Sequence, residues 1–275
     1  MYKQKITPMR TMISISTIIA VFAFTTVVNA TTVPLNTGYD YWFSAVYTPA
    51  PPVFPPNLST TQDNYWINIA SYPTTTPAIG SSFLIYPATV WQPALGLSSW
   101  ISARNTNASV LGPDGRAYTI FRKCFCLRPG WSQAQISFRV RADDTIQIWL
   151  NSQLNTLLPA SWGNWNGSSL SGGTTNQSFF HTGSNCVYAL VEDFVGNMGF
   201  DLDGTVSANG LLPAIAQSPS ISFAPCSCAT GPGGSQTSTT VLAEERRVIN
   251  EIVKIAEARR TGKQKVEYQG TRPKQ

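Results

Sequence analysis

The sequence is poor in charged residues and in histidine. Charged residues make up 12% of the 275 positions, which is about half the usual share of a soluble domain. His181 is the single histidine, so metal sites built from several histidines are excluded. A Ser/His/Asp triad would also need a nucleophile elbow, and the sequence contains no Gly-x-Ser-x-Gly motif. We therefore interpret His181 as a loop residue beside Phe179 and Phe180, and we predict that the chain is not an enzyme.

The net charge of +5 is carried by the two ends of the chain. Residues 31–240 hold seven Lys or Arg against nine Asp or Glu, whereas residues 241–275 hold nine against five. The central part of the chain is therefore slightly acidic. Because nucleic-acid binding needs a basic surface on the folded body, the sequence predicts no nucleic-acid partner.

A signal peptide is predicted over residues 1–30. Three basic residues, Lys3, Lys5 and Arg10, precede an apolar run over residues 12–28. Small residues follow this run, so we expect cleavage after Ala30. The alternative is an uncleaved membrane anchor, although Ser and Thr interrupt the apolar run. We expect a secreted, extracellular protein, with the periplasm or the cell surface as other destinations of an exported chain.

The body of the chain, residues 31–212, has the pattern of an all-β sandwich. Aromatic residues and Thr are frequent, and both favour pleated strands. In residues 134–142, Ile136, Phe138 and Val140 alternate with polar residues, as in a strand that is buried on one face. Short strands separated by turn residues are typical of a sandwich. They are predicted at 65–69, 117–127, 134–142, 145–150, 185–191 and 199–206, with a loop at 159–177.

The C-terminal part of the sequence changes composition. Residues 213–240 form a linker rich in Ser, Gly and Pro, and residues 241–262 have the apolar periodicity of an amphipathic helix. The basic residues 263–275 are predicted to be disordered. The apolar stripe of the helix needs a partner, which is the sandwich itself, a second chain or a membrane surface. We favour self-association through the helix at 241–260, because Arg and Glu flank the stripe.

Five cysteines remain in a compartment that favours disulfides over thiols. Two Cys-x-Cys units each direct two thiols to one face of a strand. Bridges between the two units are attractive, with the fifth cysteine left over or paired to one of them, but spacing does not fix the connectivity. Zinc is the competing interpretation, and the cysteines have no histidines nearby to support it. The disulfide candidates are Cys124, Cys126, Cys186, Cys226 and Cys228.

The best candidate binding surface lies at residues 161–167. Exposed indoles stack on the apolar faces of sugar rings, and Asn side chains offer donors and acceptors to hydroxyl groups. The predicted ligand-binding residues are Trp162, Asn164, Trp165 and Asn166. In the alternative interpretation the two tryptophans cover one end of the sandwich.

Two groups of acidic residues were considered for chemistry. Asp143 and Asp144 form a possible glycosidase pair, but adjacent residues point apart, so a turn with solvated acids is expected. A second group could supply oxygen ligands to a structural calcium ion. It consists of Glu192, Asp193, Asp201 and Asp203. No other cofactor is predicted.

Several segments in a fixed order resemble one known family. These segments are Trp100-Ile-Ser, the strand at 115–127, Arg141-Ala-Asp-Asp-Thr-Ile-Gln-Ile-Trp-Leu-Asn151, 183–193 and 199–204. Together they are similar to galactose-binding-like jelly-roll domains of secreted bacterial proteins, such as those of PEP-CTERM type. The likeness covers residues 60–206. It departs from the family in its strand cysteines and in the charged tail, which replaces the sorting signal. The resemblance implies a jelly-roll β-sandwich, in which a structural calcium is frequent.

These observations predict a secreted, non-enzymatic carbohydrate-binding or adhesion module. Its expected partner is a glycan or a cell-surface polysaccharide. The alternative is a structural extracellular protein that assembles with itself through the sandwich and the helix and binds no sugar.

Overall fold

The computed structural model describes residues 30–38, 62–73, 80–212, 228 and 239–273. The predicted signal peptide up to residue 29 and most of the predicted linker, with Cys226, lie outside the described residues. No described helix is both long and apolar enough to cross a membrane. Within the described ranges the chain forms ten strands and one α-helix: β1 Thr31–Pro34, β2 Gln62–Tyr72, β3 Gly80–Leu84, β4 Ile101–Ser102, β5 Ala117–Asp143, β6 Thr145–Leu150, β7 Ser152–Trp162, β8 Leu170–Thr174, β9 Gly183–Asp193, β10 Gly199–Leu211 and α1 Thr239–Arg260.

The longest strand, β5, runs through both halves of the fold. Its first part pairs with β2 and β9, and its second part pairs with β8 and β10. The sequence predicted two separate strands here, at 117–127 and 134–142. The exposed stretch between them contains Gly130 and Gln133 with positive φ angles, so the backbone changes direction without ending the strand. β5 therefore joins the two layers of the structure.

The strands form an antiparallel β-sandwich, as the sequence predicted. We call β3-β2-β5-β9-β6-β7 the first sheet and β1-β10-β5-β8 the second sheet, with β4 bridging β3 and β10. Neighbouring strands such as β5 and β9 are far apart in sequence, and this is typical of a jelly roll. The confirmed fold class is therefore all-β, with one C-terminal helix.

The core between the sheets is aromatic and aliphatic. Phe200 of the second sheet packs against Trp66 and Phe121 of the first sheet, with ring centroids 5.2 and 4.8 Å apart. The alternation predicted around Phe138 is also confirmed, since Ile136, Phe138 and Val140 are all buried. This core fixes the spacing of the two sheets.

The outer face of the first sheet is also apolar, and α1 covers it. Trp149, Tyr188 and Leu190 point outward and pack in one cluster with the helix residues Ile252 and Ala256. Because both faces of this sheet are buried, β5 and β9 contain long runs of buried residues. The apolar stripe contacts this chain's own sheet, which is one of the three partners considered for it. Self-association through the helix, the preferred expectation, stays a prediction.

Buried ion pairs hold the two ends of α1 on the sheet. Near the start of the helix, Glu245 accepts from Arg122 of β5 at 2.6 Å. Near its end, Arg259 contacts Glu192 of β9 at 3.0 Å. These side chains are less than a tenth exposed, and removing one partner of such a pair would leave an uncompensated buried charge. The pairs therefore define where the helix lies along the sheet.

The segment after α1 continues along the edge of the first sheet. Residues from 263 were predicted to be disordered, but the Gln269 N–H donates to the Ala160 carbonyl at 2.8 Å and the Trp162 N–H donates to the Gln269 carbonyl at 3.0 Å. β7 is the last strand of the first sheet, and an edge strand has backbone groups free for such pairing. The tail uses these groups.

The predicted loop at 159–177 contains the end of β7 and all of β8. β8 reads Leu-Ser-Gly-Gly-Thr and has no apolar alternation, so the sequence pattern gave no signal for a strand. Its two glycines allow close packing: a Cβ at Gly172 would lie 2.5 Å from the Phe138 ring, and one at Gly173 would lie 2.2 Å from the Ile136 carbonyl oxygen. Only glycine fits at these two positions, because β5 lies so close to them.

Two disulfides cross-link the structure. Cys124 bonds to Cys186, which lies directly opposite on β9, and Cys126 bonds to Cys228. The second bond joins the two Cys-x-Cys units, as the sequence analysis favoured. The first gives Cys186 a partner, which was one of the options left open. Together the bonds attach β9 and Cys228 to the same part of β5.

Docking of α1 is testable by removing its central buried side chain. Ile252 is fully buried between helix and sheet. We expect Ile252→Ala to lower the free energy of unfolding by about 3 kcal/mol, because the substitution leaves a cavity. Urea denaturation would measure the change. Lys254→Ala, on the exposed side of the same helix, is the matched control and should change stability by less than about 0.5 kcal/mol. Equal stability of the two variants would contradict the docked position.

Candidate functional site

Asp143 and Asp144 occupy a buried corner between β5 and β6. The sequence predicted solvated acids, but their exposed fractions are 7% and 4%. The Trp91 indole N–H donates to Asp143 at 2.8 Å, and the Phe194 backbone N–H donates to Asp144 at 2.8 Å. Burial raises the pKa of Asp143 to about 9, and the hydrogen bond and the charge of Asp144 act in the same direction. The corner therefore holds a proton at neutral pH.

The loop that carries the predicted binding residues is fixed to this corner. The Gly163 N–H donates to the Asp144 carbonyl at 2.7 Å, and the Ala142 N–H donates to the Gly163 carbonyl at 2.8 Å. A Cβ at Gly163 would lie 2.0 Å from the Ala142 carbonyl oxygen, so only glycine fits. Gly163 therefore lies directly against the backbone of β5, between Trp162 and Asn164.

The two tryptophans differ in exposure. Trp165 is buried and packs with Trp91 and Trp100 in a separate cluster, so it covers one end of the sandwich, as the alternative interpretation expected. Trp162 is half-buried and lies in a different aromatic group. Of the two indoles that were expected to be exposed, one therefore remains accessible.

The two asparagines contribute to the shape of the loop. The Asn164 side chain donates to the Ser168 carbonyl at 2.9 Å, and the Asn166 carbonyl accepts from the Gln92 side chain at 3.2 Å. Asn164 also has a positive φ of 55°, a conformation that Asn tolerates better than most residues. A role of either residue in ligand binding stays a prediction.

Trp162 lines a cavity of about 330 Å³ at this end of the sandwich. Its ring centroid lies 5.1 Å from that of Tyr268 and 6.2 Å from that of Phe194. Two guanidinium groups lie over these rings: Arg272 at 5.1 Å from the Trp162 centroid and Arg116 at 5.3 Å from the Phe194 centroid. The cavity therefore combines aromatic surfaces with cationic hydrogen-bond donors.

Contacts outside the cavity hold its wall residues in place. The Tyr268 hydroxyl donates to Glu192 at 3.2 Å, and burial together with this carboxylate raises the pKa of Tyr268. Asp114 on the rim pairs with Arg260 at 2.6 Å. The sequence analysis missed Phe194, Tyr268 and both cavity arginines. Two of them belong to the tail that was predicted to be disordered, and no local pattern marked the others.

The four carboxylates considered for calcium do not come together. Glu192 and Asp193 are consecutive strand residues and point to opposite faces, with Glu192 under the helix and Asp193 bonded to Ser109. Asp201 accepts from the Leu95 N–H at 2.6 Å, and Asp203 pairs with Arg139 at 2.6 Å. A calcium ion at these residues stays a prediction.

Other cation ligands in the described ranges are few. One group there has three ligand atoms within 4.8 Å of one another: Cys124, Cys186 and Glu245. Its two sulfurs are already joined as a disulfide, so thiolate ligands are not present. Asp143, Asp144 and Asp193 do not form such a group. The charges of Asp144 and Asp193 raise the pKa of Asp143, and a cation would relieve this repulsion.

His181 lies at a second, smaller cavity of about 180 Å³, beside Ser184 and Glu244. Among the described residues its ring hydrogen-bonds to the Asn151 side chain at 3.1 Å, and burial lowers its pKa. A catalytic histidine is normally oriented by a carboxylate. The Asn151 contact suits the predicted structural role of His181 in a loop.

Comparison with known proteins adds only distant likenesses. No family model matches the chain, and no curated protein matches it in sequence. The PEP-CTERM relation therefore has no family match behind it. The strand pairing itself defines the class of the protein, an antiparallel β-sandwich with a cavity at one end.

Three solved structures are similar to parts of this chain at low scores. The PA14 domain of the antifreeze protein MpAFP is 15% identical, with a TM-score of 0.24 over 39% of this chain and 55% of that chain. CBM35 from Paenibacillus barcinonensis is 10% identical, with a TM-score of 0.26 over 52% and 91%. The A domain of epithelial adhesin 9 from Candida glabrata, in complex with Galb1-4GlcNAc, is 12% identical, with a TM-score of 0.23 over 69% and 83%. These values are too low to place the chain in any family.

The proton at the buried corner predicts a pH dependence. The native pKa of Asp143 is about 9, against 3.8 for a free aspartate, so the native state binds one more proton than the unfolded state between these limits. The free energy of unfolding should therefore fall as the pH rises through this window, by at most about 1.4 kcal/mol per unit from this group. Asp201, with a pKa raised to about 7 by burial, adds a contribution of the same sign.

Asp143→Asn isolates this contribution. Urea denaturation at pH 5, 7 and 9 should show that the variant loses less stability with rising pH than the unchanged chain does. Parallel pH profiles for the two proteins would show that Asp143 titrates normally.

Calcium binding can be tested at both sets of carboxylates. If a cation replaces the proton of Asp143, millimolar Ca²⁺ should raise the melting temperature, since a ligand that binds only the native state stabilises it. Asp144→Asn should abolish the rise if the corner binds the ion, and Asp203→Asn should abolish it if the set predicted from the sequence does. A melting temperature that does not respond to Ca²⁺ or to chelator would contradict both.

Proposed function

We propose that this protein is a non-catalytic carbohydrate-binding or adhesion module that acts outside the cell, and that its glycan site is the cavity beside Trp162. The observation that supports this most directly is the grouping of Trp162, Phe194 and Tyr268 around one opening, with centroids 5.1 to 6.4 Å apart. Sugar rings have apolar faces that pack on such rings. Of these three residues, Trp162 is the one that the sequence analysis predicted to bind a ligand.

The size and polarity of the cavity suit a small number of sugar residues. Its volume of about 330 Å³ lies at the lower end of the range for small-molecule sites. Arg116, Arg272 and Asp114 on its rim supply donors and acceptors for hydroxyl groups. Such a combination of apolar floor and polar rim is what fixes the orientation of a bound sugar.

The cavity is built on fixed elements, which favours binding. The Trp162 and Gln269 backbones are hydrogen-bonded to each other, and Phe194 is held by Asp144. Because these bonds order the walls before a ligand arrives, less conformational entropy is lost on binding.

Two features support a location outside the cell. Disulfides persist in oxidising compartments, and the described residues contain two. The predicted signal peptide agrees with this. Export and a cell-surface polysaccharide as partner are part of the proposal.

The alternative of a self-assembling structural protein has lost its main support. In that interpretation the sandwich and the helix both mediate contacts between copies, and Val248, Ile252 and Ala256 of the helix stripe are buried against this chain's own sheet. The tail also pairs with β7, an edge strand that could otherwise have joined another copy.

Glycan binding is tested first by removing the central ring. Trp162→Ala should weaken binding on a glycan array by roughly fivefold, because it removes about 1 kcal/mol of stacking. Leu154→Ala is the matched control: Leu154 is 81% exposed on the same strand, and its loss should leave binding and melting temperature unchanged. A folded Trp162→Ala protein that binds every glycan as well as the unchanged chain does would refute the site.

The buried tryptophan should behave differently. Trp165→Ala is expected to lower the free energy of unfolding by about 3 to 5 kcal/mol, because it opens a cavity next to Trp91 and Trp100. Thermal and urea denaturation of Trp162→Ala and Trp165→Ala would separate loss of a binding surface from loss of the fold. Equal destabilisation by the two changes would contradict the different roles assigned to these residues.

A further inference from the structure

The arginines around the cavity fall into two groups. Arg259 and Arg260, at the end of α1, have carboxylate partners in Glu192 and Asp114. Arg116 and Arg272 line the cavity, and within the described residues neither forms an ion pair with a carboxylate. The one acidic residue on the rim, Asp114, is already paired. The cavity therefore carries two positive charges that this part of the chain does not compensate.

Aromatic rings orient both of these guanidinium groups. The Cζ of Arg272 lies 5.1 Å from the centroid of Trp162, and the Cζ of Arg116 lies 5.3 Å from that of Phe194. A guanidinium stacked on a ring keeps its N–H edges free for other partners. Arg116 uses one nitrogen, Nη1, to donate to the Arg259 carbonyl at 3.0 Å. Since arginine has five N–H donors, both side chains retain donors for a ligand.

We infer that the cavity selects an acidic saccharide, one whose sugar ring carries a carboxylate, such as a uronic acid. This inference rests on the proposed glycan site and names the class of sugar it takes. The ring of the saccharide packs among Trp162, Phe194 and Tyr268, and its carboxylate accepts from Arg116 or Arg272. Arginine and carboxylate match in planar geometry and form paired, charge-assisted hydrogen bonds. A neutral sugar would leave both guanidinium groups without this partner.

The C-terminal tail supplies half of this arrangement. Tyr268 and Arg272 follow α1, and the Gln269 backbone bonds to Ala160 and Trp162 place them at the cavity. Arg116, by contrast, directly precedes β5. The acidic-sugar site thus depends on the tail reaching β7.

The test compares one polymer in two charge states. The full chain, with its cysteines oxidised, is titrated with oligosaccharides of a polyuronate and with the same oligosaccharides after carboxyl reduction, using isothermal titration calorimetry. We expect the acidic form to bind at least about tenfold more tightly, as charge-assisted hydrogen bonds are roughly twice as strong as neutral ones. A sulfated polysaccharide without carboxylates serves as the polyanion control and should bind more weakly than the polyuronate.

Variants assign the preference to the two arginines. Arg116→Gln and Arg272→Gln should each weaken binding of the acidic oligosaccharide by about tenfold and leave the neutral form unchanged, because glutamine keeps donors but not the charge. Lys254→Gln removes an equal charge from the exposed side of α1 and is the matched control. Because Arg272 is exposed, its substitution should not affect folding, which circular dichroism would verify.

The outcomes separate this inference from the proposed function. If the acidic and neutral forms bind equally and Trp162→Ala weakens the binding of both, the acidic preference is overturned and the glycan site still stands. If the sulfated polymer binds as tightly as the polyuronate, the cavity does not select a carboxylate and is a general anion site. Lack of binding to the polyuronate and to every glycan of an array would overturn both proposals.

Discussion

The structure depends on the first sheet being apolar on both faces. One face closes the core against the second sheet, so the other must be covered by something else, and α1 covers it with Ile252 and Ala256. Burial of this face is the dominant favourable contribution that fixes the helix. The position of the helix then determines where the chain goes next, and it brings the tail to the edge of β7. The candidate site is a consequence of that path, because Tyr268 and Arg272 lie on the tail.

The polar groups follow the same constraint. Arg122 and Glu192 point to the outer face of the first sheet, where α1 would otherwise bury them without partners, and they meet Glu245 and Arg259 of the helix. At the end of the sandwich, Asp143 is buried beside another carboxyl group, and its pKa rises because one proton is less costly than two buried negative charges. Charged residues are scarce in this sequence, and the buried ion pairs described above connect the helix to the first sheet.

Some elements could be predicted from the sequence because their pattern is local. The alternation of Ile136, Phe138 and Val140 gave the inward face of a strand, and the apolar periodicity at 241–260 gave the helix. β8 could not be predicted in this way, since its two glycines are required by strand β5 rather than by their own neighbours in sequence. The candidate site was predicted in part: Trp162 was selected for its indole, while Trp165 was grouped with it although its surroundings are a buried cluster.

The sequence by itself determined the all-β class, the single C-terminal helix and the oxidised state expected of its cysteines, because composition, periodicity and compartment are local or global properties of the chain. Only the tertiary structure decided which face the helix covers, which cysteines pair and which side chains meet at the cavity. Arg116, Trp162 and Arg272 are far apart in sequence; the sheet places the first two at the cavity, and the docked tail places the third. The physical reason is that the hydrophobic effect favours burial of an apolar side chain against any apolar surface. A binding site, in contrast, requires particular side chains from distant parts of the sequence to lie next to one another.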